Sequence, residues 1–193
     1  MSASAFPYGM IPITNYGSGY NTQGFDTYTI LDGYTTSIFY GDVVKIAADG
    51  TIQKDTGTST LTPLGVFVGC RYINTSLGYV LDSQCWPAST TTGYTVYAKV
   101  VTYPWALYQI QANGSVPLSA IGDNAAIVQT AGNTTFPQKS QNSLNASSIQ
   151  NTSSLPLRIV GLVESPNNAW GDAFTDVIVA FNNNQQFLTA TGV

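Results

Sequence analysis

The stretch "YGDVVKIAADGTIQKDTGTSTLTPLGVFVG", residues 40–69, decides the fold class. It holds a Gly-Asp pair, a short apolar run in which Val43 and Lys45 alternate, and an Asp49-Gly50 turn signal. A polar ribbon and a second apolar run follow. Gly accepts positive φ without steric cost, so Asp49-Gly50 between two apolar runs predicts a β-hairpin. "LGVFVGCRYI" (64–73) is apolar almost throughout, the texture of a strand covered on both faces.

Working outward, the same texture recurs along the chain. "FDTYTIL" (25–31) alternates and predicts a strand. "TGYTVYAKVVTYPWALYQIQANG" (92–114) contains two strand-like runs broken by Pro104 and ends in an Asn-Gly turn. "IGDNAAIVQTAGN" (121–133) echoes the Gly-Asp segment, and "RIVGLVES" (158–165) echoes "LGVFVGCR". A third Gly-Asp opens "WGDAFTDVIVAFN" (170–182). No segment has the apolar period of a long amphipathic helix. The expectation is an all-β chain of β-barrel or β-tulip-like units joined by long loops. Residues 26–193 form the β domain, divided into two related units at about 26–85 and 93–188. Residues 1–25, rich in Gly, Tyr, Asn and Pro without a sustained period, are expected to form an extended N-terminal arm. The polar, low-complexity stretch 133–154 is expected to be a long loop.

Composition narrows the function. Of 193 residues only 8% are charged and 12% are aromatic, while Thr (24), Ser (17), Asn (14) and Gln (11) supply the polarity. Such a surface suits either an ordinary β protein or one built to lie against other protein, because charge is depleted and Tyr enriched at interface cores. The net charge is −4, and the six basic residues Lys45, Lys54, Arg71, Lys99, Lys139 and Arg158 stand singly. Nucleic-acid binding needs such residues clustered, so no nucleic-acid partner is expected. No apolar run of 18 residues and no signal-peptide pattern occur, so neither a membrane partner nor export is expected. The Asn-X-Ser/Thr triplets at Asn74, Asn113, Asn133, Asn145 and Asn151 read as chance in so Asn- and Thr-rich a chain. Cys70 and Cys85 have no metal-site spacing; a disulfide between them is permitted, and packed free thiols are expected for a cytoplasmic product.

Catalytic constellations are scarce. Without histidine, Ser-His and Cys-His pairs are impossible. The three Gly-Asp carboxylates, Asp42, Asp123 and Asp172, lack the acidic neighbours a calcium loop needs; turns in which Asp bonds nearby backbone N–H groups explain them. Glu164 with Asp172 or Asp176 is the only close acidic set and lies in strand-like texture. "YGSGYNTQG" (16–24) has no following Lys-Ser/Thr, so it is not a phosphate loop. No enzyme activity, cofactor or metal is expected. The aromatic residues Tyr8, Tyr16, Tyr20, Tyr94, Tyr97, Tyr103, Trp86, Trp105 and Trp170 could build a sugar platform, although most such rings in a β protein are core or subunit contact.

One resemblance carries the reading further. "GDVVKIAADGTIQK…TPLGVFVG" resembles the β-tulip-like unit of small phage head-decoration proteins. The wider order is similar to virion structural proteins of tailed phages, especially marine and cyanobacterial podoviruses. It runs from "FPYGMIPITNYGSGYNTQGFDTYTI" through "GVFVGCRY", "WPA", "PWALYQIQANG" and "IGDNA" to "RIVGLVESPNNAWGDAF". It spans Phe6 to about Gln186 and carries no catalytic residues. It implies a capsid decoration, or cement, protein of the virion, assembled in the host cytoplasm. The implied partners are the major capsid protein and further copies of itself, as a homotrimer. The contact residues that follow are Phe6, Tyr8, Tyr16, Tyr20, Tyr103 and Trp105. A receptor- or glycan-binding tail or fibre component is the alternative.

Overall fold

Asp49 and Gly50 do what their chemistry dictates in the computed structural model, which describes residues 4–15, 24–135 and 137–186. Gly50 takes φ +79°, its N–H donates to Ala47, and the Asp49 carboxylate accepts the Thr51 N–H at 2.9 Å. In chain order the described strands are β1 (Ile11–Asn15), β2 (Asp26–Ile30), β3 (Ile38–Phe39), β4 (Val43–Ile46) and β5 (Ile52–Lys54). Then come β6 (Gly65–Asn74), β7 (Tyr79–Ser83), β8 (Cys85–Trp86), β9 (Val96–Val101) and β10 (Ala106–Gln111). The last are β11 (Asn124–Ala125), β12 (Ile127–Val128), β13 (Ser143–Leu144), β14 (Leu157–Leu162) and β15 (Asp176–Phe181). Two single 3₁₀ turns, Leu118–Ala120 and Ala146–Ser148, are the only helical pieces among the described residues.

The chain is all-β, and five strands close on themselves. β4 pairs with β5, β5 with β2, β2 with β9, β9 with β6, and β6 returns to β4. Closure removes the unpaired edges that an open sheet presents. The long β6 makes this possible by changing partner along one edge. Gly65 and Val66 face β4, whereas Cys70–Asn74 face β7, while β9 runs along the other edge. The ladder shifts register between Phe67 and Gly69, where Gly69 takes φ +145°. A bulge of this kind bends a strand and lets it turn a barrel corner. At Gly65 the wall is tightest, because a Cβ there would collide with the Val101 carbonyl. Alternation fills the inside: Val96, Ala98 and Val100 are buried with Ile30, Val44, Ile52, Leu64 and Phe67, while Tyr97 faces out. Each Val, Ile, Leu or Phe side chain among them contributes about 1.5–3 kcal/mol on burial.

A second, antiparallel sheet in the order β1-β10-β15-β14-β11 lies against the barrel wall. Its inner residues Tyr108, Ile110, Val177, Val179, Phe181, Leu157 and Ile159 form one core with the barrel residues Val43, Val66 and Val101. Tyr108 and Phe181 pack with ring centroids 5.1 Å apart.

The three Gly-Asp pairs share one conformation. Gly41, Gly122 and Gly171 have φ of +90°, +90° and +89°, and each following Asp donates its N–H to the carbonyl three residues back. Asp42 and Asp172 also accept the N–H of that residue, Phe39 and Ala169, at 2.9 Å each. The echo in the sequence is thus a repeated tight turn, which at Asp42 and Asp123 leads directly into β4 and β11. Asp42 carries more. It is wholly buried and pairs with the nearly buried Lys54 ammonium at 2.9 Å, and its other oxygen accepts the Asn142 amide at 3.2 Å.

Three sequence expectations need correction. The arm expected over 1–25 includes β1, an edge strand paired with β10, and Met10 is fully buried in the core beneath the sheet. The strand shows no apolar period in the sequence because all five of its residues are half-buried, and Pro12 and a register shift interrupt its pairing. Residues 16–23 of that arm lie outside the described residues. The loop at 133–154 holds β13 and a 3₁₀ turn, and Ser140, Asn142, Ser143 and Leu144 are buried. The two expected units do not stay apart: β9, from the second, closes the barrel of the first, while β1, from the expected arm, joins the sheet of the second.

Two outcomes follow. Asp42→Ala leaves the Lys54 ammonium buried without its partner, which costs about 3–5 kcal/mol; urea unfolding should show that loss with the barrel still formed in the remaining native state. Deleting residues 1–15 removes Met10 and bares the β10 edge. The loss of the Met10 side chain alone costs about 2–5 kcal/mol, so the urea midpoint of the shortened chain should fall clearly below that of the full chain.

Candidate functional site

Much of the polar chemistry among the described residues holds the chain's own backbone. The Cys70 and Cys85 thiols are free and buried, and Cys70 Sγ donates to the Cys85 carbonyl at 3.4 Å. Burial, with the neighbouring Cys85, pushes the Cys70 thiol up to about 12, so it is no nucleophile at neutral pH. Asp55 accepts the backbone N–H groups of Gly57 and Thr62 at 3.0 and 2.8 Å. Among the described residues no three carboxylate or thiol side chains converge. Glu164, Asp172 and Asp176, the close acidic set read in the sequence, form no converging cluster: Asp172 caps its turn at Ala169 and Asp176 receives the Tyr8 hydroxyl at 3.0 Å.

What remains for recognition is the exposed aromatic surface, and β10 sorts the expected contact residues into two groups. At the C-terminal end of this strand the Phe6 N–H donates to the Gln111 side chain at 2.6 Å, the Gln111 amide returns a bond to Ser4, and Tyr8 reaches Asp176. Phe6 is left 72% exposed. Burial and the Asp176 carboxylate keep the Tyr8 phenol protonated, so it is a donor at every physiological pH. At the N-terminal end Tyr103, Pro104 and Trp105 make the turn between barrel strand β9 and sheet strand β10, closed by the Ala106 N–H to the Tyr103 carbonyl at 3.0 Å. Pro at the second position suits such a turn because its φ is already set. Six residues of extended chain, about 20 Å, separate the two groups. Tyr16 and Tyr20 lie outside the described residues.

The turn divides two grooves. One, of about 600 Å³, is lined by Asn15, Gly24, Phe25, Asp26, Thr102, Tyr103, Pro104 and Gln186. The other, of about 670 Å³, is lined by Pro104 and Trp105 together with Ile121, Gly122, Arg158–Val160 and Ala180–Asn182. Tyr103 is 47% and Trp105 58% exposed. Sequence reasoning missed Phe25, Asp26, Ile121 and Arg158, which come from β2, the strand-entry turn and β14. Only the pairing of distant strands brings them to Pro104, and no local spacing signals it.

Of the other aromatic candidates, Tyr94 and Tyr97 are exposed and Trp170 is partly buried against the core. Trp86 is corrected: it is fully buried in the barrel, edge-on to Tyr72 at 5.3 Å, because β8 pairs inward with β3. On the barrel's outer face Asp82 receives Arg71 and Lys99, each at 2.8 Å, and Lys99 stands 5.4 Å from the Phe25 ring centre. The Arg71 hydrogen bonds, then Lys99, hold the Asp82 carboxyl down at about 2.

Asp82 sets a pH window. A carboxyl lowered in the folded state stabilises that state above its unfolded value, about 3.9. That contribution fades as pH falls toward about 2. Because the pair is exposed, the effect on stability is small and screened by salt. Arg71→Ala should move the Asp82 midpoint, followed by carboxyl NMR, up toward the ordinary aspartate range; an unmoved midpoint would remove Arg71 as the cause.

No family model matches the chain, and no curated protein and no solved structure was found to be similar to it.

Proposed function

We propose that this chain is a non-enzymatic decoration, or cement, protein of a phage head, located on the virion and bound to the major capsid protein. The observation that carries the reading is the placement of exposed aromatic side chains at both ends of β10, around Phe6 and around the Tyr103–Trp105 turn. Two separated contact patches on one rigid sheet suit a protein that spans a joint between neighbouring subunits. Aromatic rings give large contact area at low cost in lost rotamers. The sparse charge supports the same reading, since the ion pairs Lys54–Asp42, Arg71–Asp82 and Lys99–Asp82 are internal. The resemblance of the Gly-Asp and "GVFVG" segments to head-decoration proteins adds the partner. The rival, a receptor- or glycan-binding tail or fibre component, has in its favour the Trp105 ring in a groove shared with Arg158 and Asn182.

The test is attachment to heads. Contacts made by apolar burial and amide or hydroxyl hydrogen bonds are little affected by salt, which screens exposed charge over about 10 Å at 0.1 M. Urea weakens them by solvating apolar and peptide groups. Occupancy on purified particles, read by gel densitometry, should therefore survive moderate NaCl and fall with urea at concentrations that leave the shell intact. Release by salt alone would sink the reading. A count of a few copies per particle in place of hundreds would favour the tail or fibre component.

A further inference from the structure

The two grooves beside Pro104 have opposite chemistry. The first contains one carboxylate, Asp26, and no cation among its lining residues. The Thr102 hydroxyl donates to Asp26, and among the described residues no Lys or Arg pairs with it. Lys99, beside the Phe25 ring, is taken by Asp82. The second groove contains one cation, Arg158, and no carboxylate among its lining residues. Arg158 likewise has no ion-pair partner among the described residues, although the chain holds ten acidic side chains. The guanidinium lies against the turn at Gly122, where a Cβ would stand 3.8 Å from Arg158 Nη2, an ordinary contact distance. Around these two charges stand Phe25, Tyr103, Trp105 and Ile121, each between 47% and 58% exposed.

From this arrangement we infer that two copies of the chain associate about a twofold axis at the Tyr103–Pro104–Trp105 turn, with Asp26 of each copy facing Arg158 of the other. A twofold interface must be complementary to itself, so it needs both signs of charge within one patch, placed on either side of the axis. The two grooves meet that condition because Pro104 is the single residue they share. Rotation about it lays the acidic groove of one copy on the basic groove of the other, twice. The exposed aromatic rings then form the dry centre and the charge pairs the flanks, the usual order of an interface. A threefold ring, which the capsid resemblance implies, would need the two grooves on separate sides of the molecule; they flank one turn. The inference does not depend on the capsid reading, because it concerns the isolated chain.

Sedimentation of the full chain over a concentration series reaching high micromolar values tests it. Wild type should be a reversible dimer. Arg158→Glu and Asp26→Arg each place like charges together twice, and each should raise the dimer dissociation constant about a hundredfold or more. Mixing the two variants in equal amounts should restore the dimer, because both contacts in the mixed pair are again of opposite sign. If Asp26→Arg fails to fold for loss of the Thr102 bond, Pro104→Cys supplies the second arm. Under mild diamide oxidation it should cross-link copies at the axis, while Leu77→Cys, on the far hairpin, should not. A monomeric wild type, a trimer, a dimer indifferent to Arg158→Glu, or the absence of the Pro104→Cys cross-link would each overturn the proposal.

Discussion

One buried carboxylate organises this molecule. Asp42 lies at the entry to β4 with no solvent contact, so its charge must be met by the protein. One oxygen holds the Phe39 N–H and the Lys54 ammonium, which fixes the turn before β4 to the strand after the hairpin. The other oxygen holds Asn142, and through Asn142 the effect spreads. The Asn142 side chain accepts the Thr130 N–H at 2.8 Å, and its backbone carbonyl accepts the Gly9 N–H at 3.1 Å. Gly41, one residue before, donates to Phe67 and accepts from Met10. The barrel, the N-terminal segment and the polar stretch after residue 130 therefore meet at one point.

The glycines at this point are demanded by proximity. A Cβ on Gly41 would lie 3.1 Å from the Met10 nitrogen and from the Tyr8 carbonyl oxygen, and Gly41 is also at φ +90°. Backbone can approach backbone only where no side chain intervenes. Polar hydrogen bonding inside is accepted because it is nearly complete, the unpartnered buried atoms being Trp86 Nε1, Asn124 Oδ1 and Gln129 Oε1 among the described residues. Such a center fixes register, which apolar packing alone leaves looser.

The same arrangement shapes what the outside can do. With Asp42, Asp82 and Asp176 held by structural partners, and both thiols packed away, the acidic and nucleophilic groups serve the fold. The exposed rings at the strand ends and the charges around the Pro104 turn are what the surface leaves open. That distribution is what supports the proposed reading of the chain as an assembly component.

The sequence by itself determined the strand class, the Asp49-Gly50 hairpin and the Gly-Asp turns, because these depend on φ preferences and on alternation within a few residues. The burial of β6 was equally legible, since a strand covered on both faces must be apolar throughout. Only the tertiary structure decided that β9 closes the barrel and that Ile11–Asn15 is a sheet edge. It also decided that the amide-rich stretch around Asn142 is buried, and that Asp26 and Arg158 flank the same turn. In each case the partner lies far along the chain, and a residue's own neighbours hold no record of it. A polar side chain such as Asn142 looks solvent-bound until the buried carboxylate it satisfies is brought beside it.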